Sequence, residues 1–194
     1  MVDRNSLMQQ LKNIVIAEIN NEYYPRAYSN EMNYIVANIT QINSNTTKTF
    51  CDTKIKGIVY IEAKKLNKYN YLFSNCKKIT KILFTKNYTD DKLTQNMFYN
   101  CSGLTSITIP NSVTLICNNA FENCSSLTSI KIPDTVETIC TDAFYGCSKL
   151  TKITIIYNGN EPEDTTKSTY QNKFIDAGVS EGVTFTWQSS SNTE

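Results

Sequence analysis

The side chains that could do chemistry in this chain are cysteines and carboxylates, because histidine does not occur among its 194 residues. Without imidazole there is no side chain that ordinarily titrates near neutral pH, none to activate a serine or cysteine nucleophile, and none to ligate zinc. Two acidic groups remain: Glu161, Glu163 and Asp164 around Pro162, and Asp90 beside Asp91. Paired carboxylates divide general-acid and general-base work only where their surroundings drive their pKa values apart. Both groups lie in polar stretches that read as loops, so they are expected to be solvated charge. No catalytic residue is assigned, and the chain is expected not to be an enzyme.

The seven cysteines are ordered along the chain. Cys76, Cys101, Cys124 and Cys147 occupy one position of a recurring pattern, Cys117 and Cys140 another, and Cys51 stands apart. Column neighbours one strand spacing apart, about 5 Å, fall inside the Cα window of a disulfide. Buried thiols, disulfides and a metal site are therefore all open. Buried thiols are favoured, since free cysteine packs as a small hydrophobe, and no two cysteines have the C-x-x-C spacing of a zinc site. No cofactor and no metal is expected.

What positions these cysteines is a 23-residue repeat: residues 97–119, 120–142 and the start of a third unit at Ala143, keyed by Phe98, Phe121 and Phe144. The other columns are Leu104/Leu127/Leu150, Ile107/Ile130/Ile153, Ile109/Ile132/Ile155, Val113/Val136, Ile116/Ile139 and Ala120/Ala143. Phe73, Cys76, Ile79, Ile82 and Phe84 restate the pattern upstream. The step from Phe73 to Phe98 is 25, which places a two-residue bulge in a loop over 86–92. A degraded turn is expected around Ile55, Ile58 and Tyr60.

A repeat of 20 to 29 residues with fixed apolar positions is one turn of a leucine-rich solenoid. Residues 104–110 read as a short strand with Leu104, Ile107 and Ile109 inward and Thr105 and Thr108 outward, ended by Pro110. The return arm, 112–121, reads as irregular or a short helical turn. One unit cannot bury its own apolar face, so units must stack and the ends must be capped.

The run Leu104-Thr-Ser-Ile-Thr-Ile-Pro-Asn-Ser-Val113, followed by Ala120-Phe-Glu-Asn-Cys-Ser-Ser-Leu127, resembles the BspA-type leucine-rich repeat, a 23-residue variety common in bacterial surface proteins and in some protist and viral ones. The resemblance is strong over 73–156 and fair over 50–72. It departs from that family at Cys117 and Cys140, where glycine is usual, so the turn there is expected not to need positive φ.

The fold expected is α/β: a leucine-rich-repeat solenoid with a parallel sheet on its concave face, a helical N-terminal cap and a helix-plus-strand C-terminal cap. Its organisation reads as a helical N-terminal cap over 1–48, the solenoid over 49–157, the C-terminal cap over 158–188 and a disordered tail over 189–194. The N-terminal cap comprises a helix over 4–20, with Leu7, Leu11, Ile14 and Val15 on one stripe, and a second over 31–42, with Met32, Ile35, Val36, Ile39 and Ile42. In the C-terminal cap, Asp164 or Thr165 caps a helix with Tyr170, Phe174 and Ala177 inward and Gly178 at its end. Val183, Phe185 and Trp187 then alternate as a strand.

Residues pointing out from the strands would form the binding surface: Thr80, Lys81, Thr105, Ser106, Thr108, Thr128, Ser129, Lys131, Thr151, Lys152 and Thr154. Net charge is +1, which favours neither nucleic acid nor anionic membranes, and no apolar run is long enough to span a membrane. The resemblance implies a non-enzymatic binding module, a bacterial cell-surface protein recognising a protein or glycan partner through the solenoid face. The alternative is a structural or scaffold protein inside a cell or in a virus-like particle. Residues 11–19 are not a signal peptide, so the expected location is extracellular or cell-surface if an export signal was removed and cytoplasmic otherwise.

Overall fold

A computed structural model describes residues 34–37, 56–61, 66, 69–84 and 88–192. Among them seven parallel strands form one long sheet: β1 (Tyr34–Ala37), β2 (Lys56–Ile61), β3 (Lys78–Phe84), β5 (Ser106–Thr108), β7 (Ser129–Pro133), β9 (Lys152–Tyr157) and β10 (Thr184–Ser189), in that spatial order. Register follows the repeat, with Ile82, Ile107, Ile130, Ile153 and Phe185 stacked in one column. A second parallel sheet runs along the return arm: β4 (Lys92–Leu93), β6 (Leu115–Ile116) and β8 (Thr138–Ile139). The return arm thus differs from the irregular or helical turn read from sequence. Two-residue strands leave no periodic signature, and only the stacking of rungs reveals them.

A third line of rung-to-rung bonds runs through the turns. Backbone N–H groups of Phe73, Phe98 and Phe121 donate to the carbonyls of Met97, Ala120 and Ala143, and Phe144 donates to Ala177. Two residues per turn take positive φ: Tyr71, Asn96, Asn119 and Asp142 in one column, and Asn75, Asn100, Asn123 and Gly146 in another. Asparagine and aspartate enter this region more readily than other side-chain-bearing residues. Cys117 and Cys140 are not left-handed, as expected, but the turn does require the conformation, two residues later. At Gly146, which takes positive φ, an added Cβ would meet Asn123 Oδ1 in the rung below, and that side chain would have to shift.

The interior is a continuous column. Phe73, Phe98, Phe121 and Phe144 stack nearly parallel with centroids 5.6, 5.3 and 5.3 Å apart. Cys76, Cys101, Cys124 and Cys147 are buried and not in disulfides. The Sγ atoms of Cys101, Cys124 and Cys147 approach the carbonyls of Phe73, Phe98 and Phe121 at 3.0–3.2 Å. Burial raises the Cys124 and Cys147 pKa values, so these thiols stay protonated.

The C-terminal cap closes this column. Helix α1 (Asp164–Asp176) buries Tyr170 and Phe174, and Phe174 sits 5.9 Å from Phe144. Glu163 occupies the N-cap position without a side-chain cap bond, in place of the expected Asp164 or Thr165. Gly178 takes positive φ just beyond the helix. The Tyr170 hydroxyl donates to the carbonyls of Asp134 and, at 2.7 Å, Val136. Strand β10 then pairs with β9 over six residues, extending the same sheet.

The expectations for the ends meet different outcomes. The helix over 31–42 is replaced at Tyr34–Ala37 by β1, which pairs with β2; the edge offered by β2 favours a Tyr-Ile-Val run rich in strand formers over helical period. The helix over 4–20 lies outside the described residues. In β2 the inward residues are Val59 and Ile61, aligned with Ile82 and Phe84, while Ile58 is half-exposed. The degraded turn expected around Ile55, Ile58 and Tyr60 is thus present as β2. The tail is not disordered where described: Ser189 ends β10 and Ser190–Asn192 form a 3-10 turn, with Ser189 and Ser191 hydroxyls 2.7 Å apart.

Candidate binding face

The outward columns of the long sheet begin with a threonine that lies within β3 and just before β5, β7 and β9. Thr80, Thr105, Thr128 and Thr151 form a hydroxyl column, all exposed. The hydroxyls of Thr105, Thr128 and Thr151 each donate to the carbonyl of the threonine one rung back, at 3.0, 3.1 and 3.3 Å. Their donors are therefore engaged in holding the rungs together, and what remains for a partner is oxygen lone pairs. Backbone N–H groups run the same way, from Thr105 to Thr80 and onward to Thr184.

The next column is Lys81, Ser106, Ser129 and Lys152, and the one beyond it Leu83, Thr108, Lys131 and Thr154. Lys81, Thr108, Lys131 and Lys152 are exposed, while Ser106 and Ser129 are half-buried. Thr154 departs from expectation: it is 6% exposed, and its hydroxyl lies 2.9 Å from that of Thr186. Strand β10 pairs with β9 in the same sheet and sets Thr186 against Thr154. Among the described residues neither Lys131 nor Lys152 makes an ion pair; the pairs found join Lys167 to Glu161 and Asp164.

The carboxylates divide differently from the sequence reading. Glu161 and Asp164 are surface charge beside Lys167, as expected. Asp90 is not solvated: it is 3% exposed and accepts the backbone N–H of Leu66. Tyr88 is also buried, packing edge-on to Phe84 at 4.7 Å and donating to the Lys92 carbonyl. The two-residue excess of this turn is thus folded partly into the core instead of looping free. Burial, with Asp90 and Asp91 close by, raises the Tyr88 pKa far above its ordinary value.

A signal present in the sequence but hidden by net charge is the distribution of that charge. Residues 54–92 carry ten lysines against Glu62, Asp90 and Asp91, a net +7, whereas residues 93–194 carry five lysines against ten carboxylates, a net −5. In a solenoid, position along the chain becomes position along the axis, so the early rungs are basic and the late ones acidic. On the described part of the basic end, Lys77 and Lys78 are exposed beside Lys81.

Residues 91–177 match the BspA type leucine rich repeat region, in six copies. These are BspA-type leucine-rich repeats. The match begins at the last residue before β4 and runs through α1, so it spans the regular rungs and the helix that closes them. No curated protein matches the chain. Among solved structures, a leucine rich cell surface protein from Faecalibacterium prausnitzii is 22% identical with a TM-score of 0.46, aligned over 80% of this chain and 35% of that one. A leucine-rich repeat protein from Bacteroides ovatus is 22% identical with a TM-score of 0.48, over 79% and 42%. The chain spans well under half the length of either. Among the described residues no helix is long and apolar enough to cross a membrane.

Proposed function

We propose that this chain is a non-enzymatic binding module that recognises a protein or glycan partner through the outward face of its long sheet. The observation that carries the reading is the exposed array of Lys81, Thr108, Lys131 and Lys152, in which Lys131 and Lys152 are unpaired among the described residues. Ammonium groups without carboxylate partners at neighbouring rungs are available to an incoming acceptor, and the strand ladder holds them at fixed spacing. Thr80, Thr105, Thr128 and Thr151 contribute acceptor oxygens, and Ser106 and Ser129 contribute both donor and acceptor. The BspA-type repeat supports presentation at a cell surface. Nucleic acid is not the proposed partner: the outward columns of β3 to β9 hold no aromatic side chain on which bases could stack.

The test is a glycan array and an unbiased pull-down, run with the native chain and with Lys131→Glu combined with Lys152→Glu. The double variant is expected to lose partner affinity at least tenfold with its melting curve unchanged. Undiminished capture would remove the sheet face from the binding role.

A further inference from the structure

The short strands β6 and β8 are each followed directly by a cysteine, Cys117 and Cys140. The ladder continues through them, since Cys117 N–H donates to the Leu93 carbonyl at 3.0 Å and Cys140 N–H to that of Ile116 at 2.9 Å. The two cysteines are therefore in register on adjacent rungs. Both are free and half-exposed, in contrast to the buried column of Cys76, Cys101, Cys124 and Cys147. In the preceding rung the same column holds Thr94, which is buried with its hydroxyl turned to the Tyr69 carbonyl. The column thus presents a pair of sulfurs at the surface, at positions where BspA-type repeats usually carry glycine.

In-register parallel strands project their side chains in the same direction, so Cβ atoms stand apart by the strand spacing, about 4.8 Å. A disulfide needs Cβ atoms about 3.5–4.5 Å apart. Joining these sulfurs directly would require the rungs to move together. Two metal–thiolate bonds, taken at the zinc–sulfur length of about 2.3 Å, span about 4.6 Å end to end, close to the strand spacing that separates the two side chains. Zinc is a poor match, because it takes four ligands in structural sites, and among the described residues no group of three or more cysteines, histidines or carboxylates surrounds a common point. Thiolate selects soft ions, Cu(I) foremost among those that accept few ligands.

We propose that Cys117 and Cys140 form a two-coordinate site for Cu(I), the sulfurs bridging adjacent rungs. Binding replaces two S–H bonds by two Cu–S bonds and releases two protons; the metal enters and remains as Cu(I), so no oxidant or reductant is needed. The resulting dithiolate complex carries a single negative charge. The Lys92 ammonium, close enough to favour a Cys117 thiolate, offsets it, while Asp91 opposes. Burial, then the neighbouring Cys140, raises the Cys117 pKa, so Cys117 gives up its proton as the metal binds.

The test is an anaerobic titration of the reduced full chain with Cu(I) buffered by a chromogenic chelator. One Cu(I) per chain is expected, with about two protons released and an X-ray absorption spectrum showing two sulfur neighbours. Cys117→Ser and Cys140→Ser should each weaken binding at least tenfold, while Cys51→Ser binds as the native chain does. Both serine variants replace half-exposed side chains, and an unchanged circular dichroism melt would verify that they fold. Stoichiometry unaffected by Cys117→Ser, three or more sulfur neighbours, or no competition with the chelator would overturn the proposal.

Discussion

The corner where Phe98, Phe121 and Phe144 stack and the outward face of the long sheet are built on the same 23-residue step, yet they use it in opposite ways. At the corner the rungs repeat the same residues: phenylalanine over phenylalanine, buried cysteine over buried cysteine, and asparagine in one of the two left-handed columns until Gly146. On the sheet face the equivalent columns change from rung to rung, Lys81 to Ser106 to Ser129 to Lys152. A close-packed interior punishes any change of volume, whereas an exposed strand position tolerates most polar side chains. The corner therefore holds the coil and leaves the face free to vary.

That contrast can be broken at its strongest point first. Phe121→Ala removes a ring stacked on both sides and is expected to cost about 3–5 kcal/mol, read as a fall in the urea midpoint; a loss under about 1 kcal/mol would mean that the column is not what holds the rungs. Asn123→Val forces a β-branched residue into the left-handed region and should cost about 1–2 kcal/mol. Asn123→Gly should cost less than half as much, because it loses the contact with Glu122 but no backbone strain arises. Equal losses would show that the side-chain bond, not φ, sets the requirement.

Tyr170→Phe sharpens the comparison at the cap, with an expected cost of about 1 kcal/mol near neutral pH. Burial, then Asp134 and Glu137, raises the Tyr170 pKa from its ordinary 10.0 to about 12. A raised folded-state pKa contributes stability that is complete below pH 10 and is lost as pH climbs toward 12. The variant should lack this part of the alkaline decline. It should keep the part due to Cys147, whose pKa is raised from 9.0 to about 12 by burial. Parallel stability–pH curves for the two proteins above pH 9 would contradict this assignment. The smallest effect belongs to the sheet face: Lys131→Glu with Lys152→Glu should change stability by less than about 0.5 kcal/mol, measured by thermal melting.

Legibility followed the length of the repeat's signal. The columns from Phe98 to Ile155 could be assigned inward or outward from spacing alone, because three copies in register leave one consistent arrangement. In β2 a single imperfect copy of the pattern is enough to place a turn but not to say which of its residues face inward. Asp90 was misjudged for a related reason, since a carboxylate in a polar run reads as solvated until the Leu66 N–H that it accepts is located. Thr154 was placed correctly on the outward side of its strand, but no local pattern records that β10 would lie beside it. The polarity of charge along the axis was fully present in the composition, and it became visible only when counted by rung instead of by chain.

The sequence by itself determined that the chain coils with a 23-residue period and which side chains face inward, since an apolar column can be buried only by its copies above and below. Tertiary structure alone decided where left-handed backbone falls, how the ends are closed, and which outward hydroxyls and thiols become neighbours. Those outcomes depend on contacts between residues more than twenty positions apart, and their distances are set by how one rung seats on the next.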